Sequence, residues 1–259
     1  PLEMSTVENI DLTVMRDPDF VPQILPPTRE PQNPYLAPTD QSVMHSVGWE
    51  SDTHPAAGVS TADVSILSRR AGGLAPRQCA TFTFTSDGHP LILCGGFTSF
   101  RLQLLDKESL ELLAKFDLPM RPSTVEAMVK RNPEIIFLDT SGGAYFYLDN
   151  NDRAVLADSN QRIRRIKPVQ TKVTWEFVET DGWDMTPYLP RDCFTLTHQN
   201  PTGDCDAVTT VMPDPSGLIW WVTRLGRIGS LNPDSGEVIL TDFGGEEVQN
   251  SFAIDGTGA

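Results

Sequence analysis

The chain has 259 residues, 39% of them hydrophobic, which is enough for a sizeable core; 20 Lys and Arg face 35 Asp and Glu, a formal net charge of −15. So negative a surface repels phosphate backbones and anionic bilayers, which argues against nucleic acid or membrane as partner and suits a cation ligand or a salty habitat. No run approaches the roughly 18 apolar residues of a membrane span, and no signal peptide is visible.

Residues 1 to 60 form the first region. They hold nine of the 21 prolines, including Pro22, Pro26, Pro27, Pro31, Pro34 and Pro38. Proline removes ladder donors, so this segment reads as extended, irregular or a strapping loop. Within it MHSVGWESDTH, residues 44 to 54, concentrates His45, Glu50, Asp52 and His54. Such side chains hold a divalent metal or share acid–base work. His45 and Glu50 are the candidate catalytic pair, with Asp52 and His54 beside them. A solvated loop accounts for the same residues.

From residue 61 to 259 the chain reads as repeated short strands. Cys79 to Leu118 carries Asp87-Gly88 after its first strand and Asp106-Lys107-Glu108-Ser109 in its last hairpin. Leu110, Leu113 and Ala114 also share a helical face, but the repeat register decides for strand. Ser123 to Glu126 has a capping-box pattern that predicts a short helix before Pro133. A strand is predicted near Gly142 to Leu148, followed by a turn at Asn150-Asn151-Asp152 and a later one at Pro168-Val169-Gln170. The strand Gln161 to Lys167 places basic residues on both faces, as a solvated outer strand or an anion site does.

Ala207 to Phe243 shows the pattern most plainly. Four apolar runs, Ala207–Met212, Leu218–Thr223, Arg227–Leu231 and Glu237–Thr241, are separated by Asp214-Pro215-Ser216-Gly217, Leu225-Gly226 and Asn232-Pro233-Asp234-Ser235-Gly236. Proline presets φ and glycine supplies positive φ, so each cluster reverses the chain. Four antiparallel strands in about 37 residues is the size of one propeller blade. Asn250 to Gly258 looks like the first strand of a further unit. The expected fold is all-β, a β-propeller of three four-stranded blades plus the start of a fourth, as a fragment of a six- to eight-bladed ring. Adjacent Trp220 and Trp221 should point to opposite faces, one to each blade interface.

The run GLIWWVTRLGRIGSLNPDSGEV resembles the blade signature of streptogramin (virginiamycin B) lyases and of gluconolactonase-like propellers. The resemblance covers that blade well, the two before it loosely, and residues 1 to 60 not at all. It implies a six- or seven-bladed funnel with a divalent metal near one channel mouth. By place in the blade, Asn250 and Asp206 would stand in for the lactonase-type metal ligands. No position equates with the lyases' catalytic His and Glu.

In a propeller the first strand of each blade lines the channel, so residues just before those strands ring one mouth. These are Gln78, Asp139, Asp204 with Asp206, and Gln249 with Asn250, all carboxylates or amides. Converging oxygen donors suit a hard cation such as Ca²⁺ or Mg²⁺, with Asp139, Asp206 and Asn250 as metal ligands and Gln78 and Asp204 as further candidates. Asp and Asn also favour turns for local reasons. Motifs of dinucleotide, Walker, zincin and serine-elbow sites are absent from the sequence.

Of four cysteines, Cys79 and Cys94 lie on the two arms of one hairpin. Cys193 and Cys205 bracket a loop whose bridging by a disulfide would stabilise by roughly 3 kcal/mol. A bridge would place the protein outside the cytoplasm, in the periplasm or secreted. Two functions follow as expectations. One is an extracytoplasmic metal-assisted lyase or hydrolase acting on a small organic substrate at the channel mouth. The other is a non-catalytic scaffold binding a ligand or a protein partner there.

Overall fold

The computed structural model describes residues 33–38, 78–95, 99–119, 145–158, 162–189, 208–223 and 226–242, together with Phe252 and Ile254. The described residues form twelve strands and one 3-10 turn, Thr186–Tyr188. The strands make three four-stranded antiparallel sheets, each paired in sequence order. The first sheet holds β1 (Gln78–Phe84), β2 (Pro90–Gly95), β3 (Ser99–Leu105) and β4 (Leu112–Pro119). The second holds β5 (Phe146–Leu148), β6 (Ala154–Ala157), β7 (Arg162–Gln170) and β8 (Trp175–Asp184). The third holds β9 (Val208–Pro213), β10 (Ile219–Thr223), β11 (Arg227–Leu231) and β12 (Val238–Asp242). No described helix is long and apolar enough to cross a membrane.

The sheets stack as propeller blades. First strands lie side by side, β1 against β5 and β5 against β9, while outer strand β4 runs along β8. Alternation along each strand then feeds two interfaces. Leu91, Leu93, Leu102 and Leu104 of blade one meet Phe146, Leu148, Leu156 and Ile166 of blade two. Tyr147, Val155, Ala157 and Ile163, the intervening residues, face Val211, Ile219, Trp221 and Leu231 of blade three. Blade two is therefore apolar on both faces, and β5 and β6 are buried at every position. Fully burying one such Phe or Leu side chain contributes about 1.5–3 kcal/mol, which makes these interfaces the main source of cohesion.

The turns repeat the same chemistry with different residues. Thr85, Asp149 and Asp214 each end a first strand, and the side-chain oxygen of each accepts the amide of His89, Arg153 or Leu218, four residues on. The matching positive-φ positions are Gly88, Asp152 and Gly217. In the last hairpins Asp106 and Asn232 likewise cap two amides apiece, those of Glu108 and Ser109 and of Asp234 and Ser235. Leu110 and Gly236 take the equivalent positive φ.

Glycine also explains the Arg-Ile-Gly stretch of blade three. Gly229 pairs opposite Trp221 across β10 and β11, and a Cβ there would overlap the Trp221 ring. The ring lies against that backbone and is fully buried against blade two. Trp220 points the other way and donates from Nε1 to Asp214 Oδ2 at 2.9 Å, as strand alternation requires.

Leu112–Pro119 is a strand, so the repeat register prevails over the helical spacing of Leu110 to Ala114. The Pro168-Val169-Gln170 turn is corrected: all three residues belong to β7. The reversal comes one residue later, where Thr171 Oγ1 accepts the amides of Val173 and Thr174 and donates to Thr174 O. A threonine hydroxyl supplies here what proline was expected to supply. Gln78 is the first residue of β1, opposite Gly95, and does not precede the strand. The short helix expected after Ser123 lies outside the described residues, as does the beginning of the strand near Gly142. Of the expected fourth unit only Phe252 and Ile254 are described, in no element.

Candidate functional site

The first turns of the three blades lie at one end of the stack. Ser86 of blade one donates its amide and hydroxyl to the Asp152 carboxylate of blade two, the amide at 2.9 Å. Residues 33–38 join the first turns of blades two and three. Asn33 Nδ2 donates to Pro213 O at 2.8 Å, and Asn150 Nδ2 donates to Pro34 O at 2.8 Å. Because each blade is a meander, the first strands begin at the opposite end. The second turns, Asp158 to Arg162 and Thr223 to Arg227, sit at that opposite end too. Gln78 opens β1 there, and Asp206 precedes Val208 by two residues in the sequence.

Of the other expected site residues, His45, Glu50, Asp52, His54, Asp139, Asp204, Asp206 and Asn250 lie outside the described residues, as do Cys193 and Cys205. Among the described residues no three His, Cys, Asp or Glu side chains are grouped to hold a metal. Cys94 is disulfide-bonded, and its partner in the strand register is Cys79.

What the described residues add is a set of buried carboxylates that sequence reading missed. Asp158 is fully buried; its Oδ2 accepts from Arg164 Nε at 2.6 Å and its Oδ1 from the Arg162 amide at 3.0 Å. Arg164 also donates to Glu179 Oε2 at 2.6 Å. Burial opposes the charge of Arg164, but Asp158 and then Glu179 outweigh it and raise its pKa. Unpaired, an ion so enclosed would cost several kcal/mol, about what the two carboxylates offset. Asp149 is held by Arg153 Nε at 2.7 Å, with Arg165 and Asp181 close by. Arg165 in turn stacks over the Trp183 ring, 5.2 Å from its centroid. The basic strand around Arg162 to Arg165 is thus tied to acids of its own blade.

Two further groups show how the blades set protonation. Burial pushes the Tyr147 phenol far up, with Arg165 opposing, so it stays a neutral hydroxyl at ordinary pH. Burial also works to raise Asp214, yet hydrogen bonds from Ser216, Trp220 and the Ser216 and Leu218 amides prevail and lower its pKa. These carboxylates hold turns in shape. For Asp149 and Asp214 the signal was available: like Thr85, each directly follows the first strand of its unit.

No protein-family model matches the sequence, and no curated protein matches it. Among solved structures, it is similar to a catalytically inactive virginiamycin B lyase from Staphylococcus aureus with quinupristin. The identity is 15%, the TM-score 0.38, and the match covers 68% of this chain and 45% of that one. It is also similar to the Cps50 (Swd1) β-propeller domain of Myceliophteria thermophila, at 12% identity and TM-score 0.41, covering 69% of this chain and 48% of that one. The chain spans less than half the length of either. Its three stacked four-stranded meanders give it the fold of a β-propeller.

Proposed function

We propose that the chain forms part of an extracytoplasmic β-propeller that binds a small organic ligand together with Ca²⁺ or Mg²⁺ where its first strands begin. The bound cation assists a lyase or hydrolase reaction there. The observation that supports this reading is the common direction of the first strands. Their first turns are bonded to one another at one end, so the residues that lead into the first strands would come to the other. Asp139, Asp206 and Asn250, with Gln78 and Asp204, would hold the cation, and an all-oxygen set matches a hard divalent ion. Such a cation polarises a carbonyl or lowers the pKa of a bound water.

His45 or Glu50 would move the proton. Residues 33–38 are fixed at the first-turn end, and His45 lies seven residues beyond Pro38. A fully extended chain of that length reaches about 25 Å, roughly the length of an inner strand. His45, and with more slack Glu50, Asp52 and His54, would then be within reach of that mouth. The Cys94 disulfide supports the oxidising compartment.

The test is a melting experiment on the complete protein with millimolar Ca²⁺ or Mg²⁺. A ligand bound only by the folded state raises the melting temperature. Asp206→Ala should abolish most of that rise, and Glu246→Ala should not. An unchanged melting temperature would remove the cation and leave a non-catalytic scaffold as the better reading.

A further inference from the structure

The segment Asn33–Pro38 is seated on the blades as a ligand is seated in a groove. It lies beside β5, the innermost strand of blade two, where Leu36 bridges Asp149 in antiparallel fashion and the Ala37 amide donates to Leu148 O at 2.8 Å. A single antiparallel bridge is thereby added at the inner edge of the sheet. The segment's side chains alternate accordingly. Ala37 is buried in the cluster between blades one and two, while Leu36 packs on the cluster between blades two and three. The backbone of Asn150 completes the grip by donating its amide to Tyr35 O at 3.2 Å.

Specific side chains read the segment as well. Asn150 Nδ2 takes Pro34 O, and Asn33 Nδ2 reaches Pro213 O of blade three. The Tyr35 ring rests against Gly217, where an added Cβ would come within 2.5 Å of it. The docked segment also holds a turn of its own: the Tyr35 amide donates to Asn33 Oδ1 at 3.0 Å and the Leu36 amide to Asn33 O at 3.1 Å, around Pro34. Main-chain hydrogen bonds for affinity and side-chain contacts for selectivity are the parts of a peptide-recognition site.

We propose that the first-turn end of blades two and three is a recognition site for a peptide of the pattern Asn-Pro-aromatic-aliphatic-Ala-Pro, bound with its turn at the proline. The chain's own Asn33–Pro38 is its intramolecular occupant. Peptides of that pattern on a partner protein compete for it. The site lies at the opposite end of the channel from the cation site and stands independently of it.

Residues 1 to 38 contain no cysteine, so a cut after them leaves only non-covalent contacts. A site-specific protease sequence placed between residues 39 and 44 allows the folded protein to be nicked. The fragment should stay bound through gel filtration and be released by excess synthetic Asn-Pro-Tyr-Leu-Ala-Pro, but not by a scrambled hexamer. Labelled hexamer should then bind the emptied protein saturably, and Asn150→Ala should weaken that binding by about three- to tenfold, the loss of one side-chain hydrogen bond at the surface. Immediate loss of the fragment on nicking, release by the scrambled peptide, or no release at millimolar hexamer would each overturn the proposal.

Discussion

Phe146 of blade two and Phe82 of blade one occupy the same place in the repeat, two residues before the end of the first strand. Phe146 is 2% exposed and Phe82 53%; Leu148 and Phe84, the next pair on that face, are 0% and 37% exposed. Each blade carries apolar residues on both faces, but a neighbour decides whether a face is buried. Phe146 and Leu148 are covered by blade one, whereas Phe82 and Phe84 meet each other edge to face, 6.1 Å apart, and stay partly exposed among the described residues. Stability in such a repeat resides in the interfaces between units more than in the units themselves.

The largest effect expected from this contrast is at the second strand. Leu156→Ala should cost about 2–5 kcal/mol in a denaturant titration, because the cavity opens between two packed blades. Its counterpart in blade one, Ile92→Ala, should cost clearly less, since that face is only half-buried. A comparable loss at the two would mean that blade one is covered as blade two is.

Gly229→Ala comes next. The added methyl must displace the buried Trp221 ring or the β12 backbone, and overpacking of this kind costs about 1–3 kcal/mol. Near-ultraviolet circular dichroism should show the Trp221 environment altered. An unchanged spectrum and an unchanged midpoint would contradict the close contact assigned to this pair.

A smaller effect, and one that depends on pH, is expected at the turns. The folded-state pKa of Asp214 is lowered, so its contribution to stability is present above the usual carboxylate pKa of about 4 and is lost as pH falls through the folded value. Asp214→Asn should therefore melt lower than wild type near neutral pH, and the difference should shrink below about pH 4. A difference constant from pH 7 to pH 3 would show that the charge of Asp214 is not what the turn uses.

The fold was legible because the turns are written in local chemistry. Asp214 to Gly217 and Asn232 to Gly236 close over a few residues, so their sequence suffices, and the same holds for Asp106 and Asn150. The opposed directions of Trp220 and Trp221, and the facing of Cys79 and Cys94, follow from alternation and hairpin register alone. Pro168 misled because proline was read as a turn, when the Thr171 hydroxyl performs that task one residue beyond β7. The docking of Asn33–Pro38 was legible only as a possible strap. Its partners Asn150 and Pro213 lie 116 and 180 residues away, and no local pattern encodes such a contact. Of the candidate mouth, Gln78 is described, at the start of β1, and the other oxygen donors lie outside the described residues.

The central claim, that equivalent positions differ because the described residues pack blade two on both faces and blade one on a single face, is tested most directly by Phe146→Ala and Phe82→Ala compared in one urea titration of the 259-residue chain. The account predicts a loss of about 3–5 kcal/mol for Phe146→Ala and a change within about 0.5 kcal/mol for Phe82→Ala. Equal losses at the two positions would contradict it.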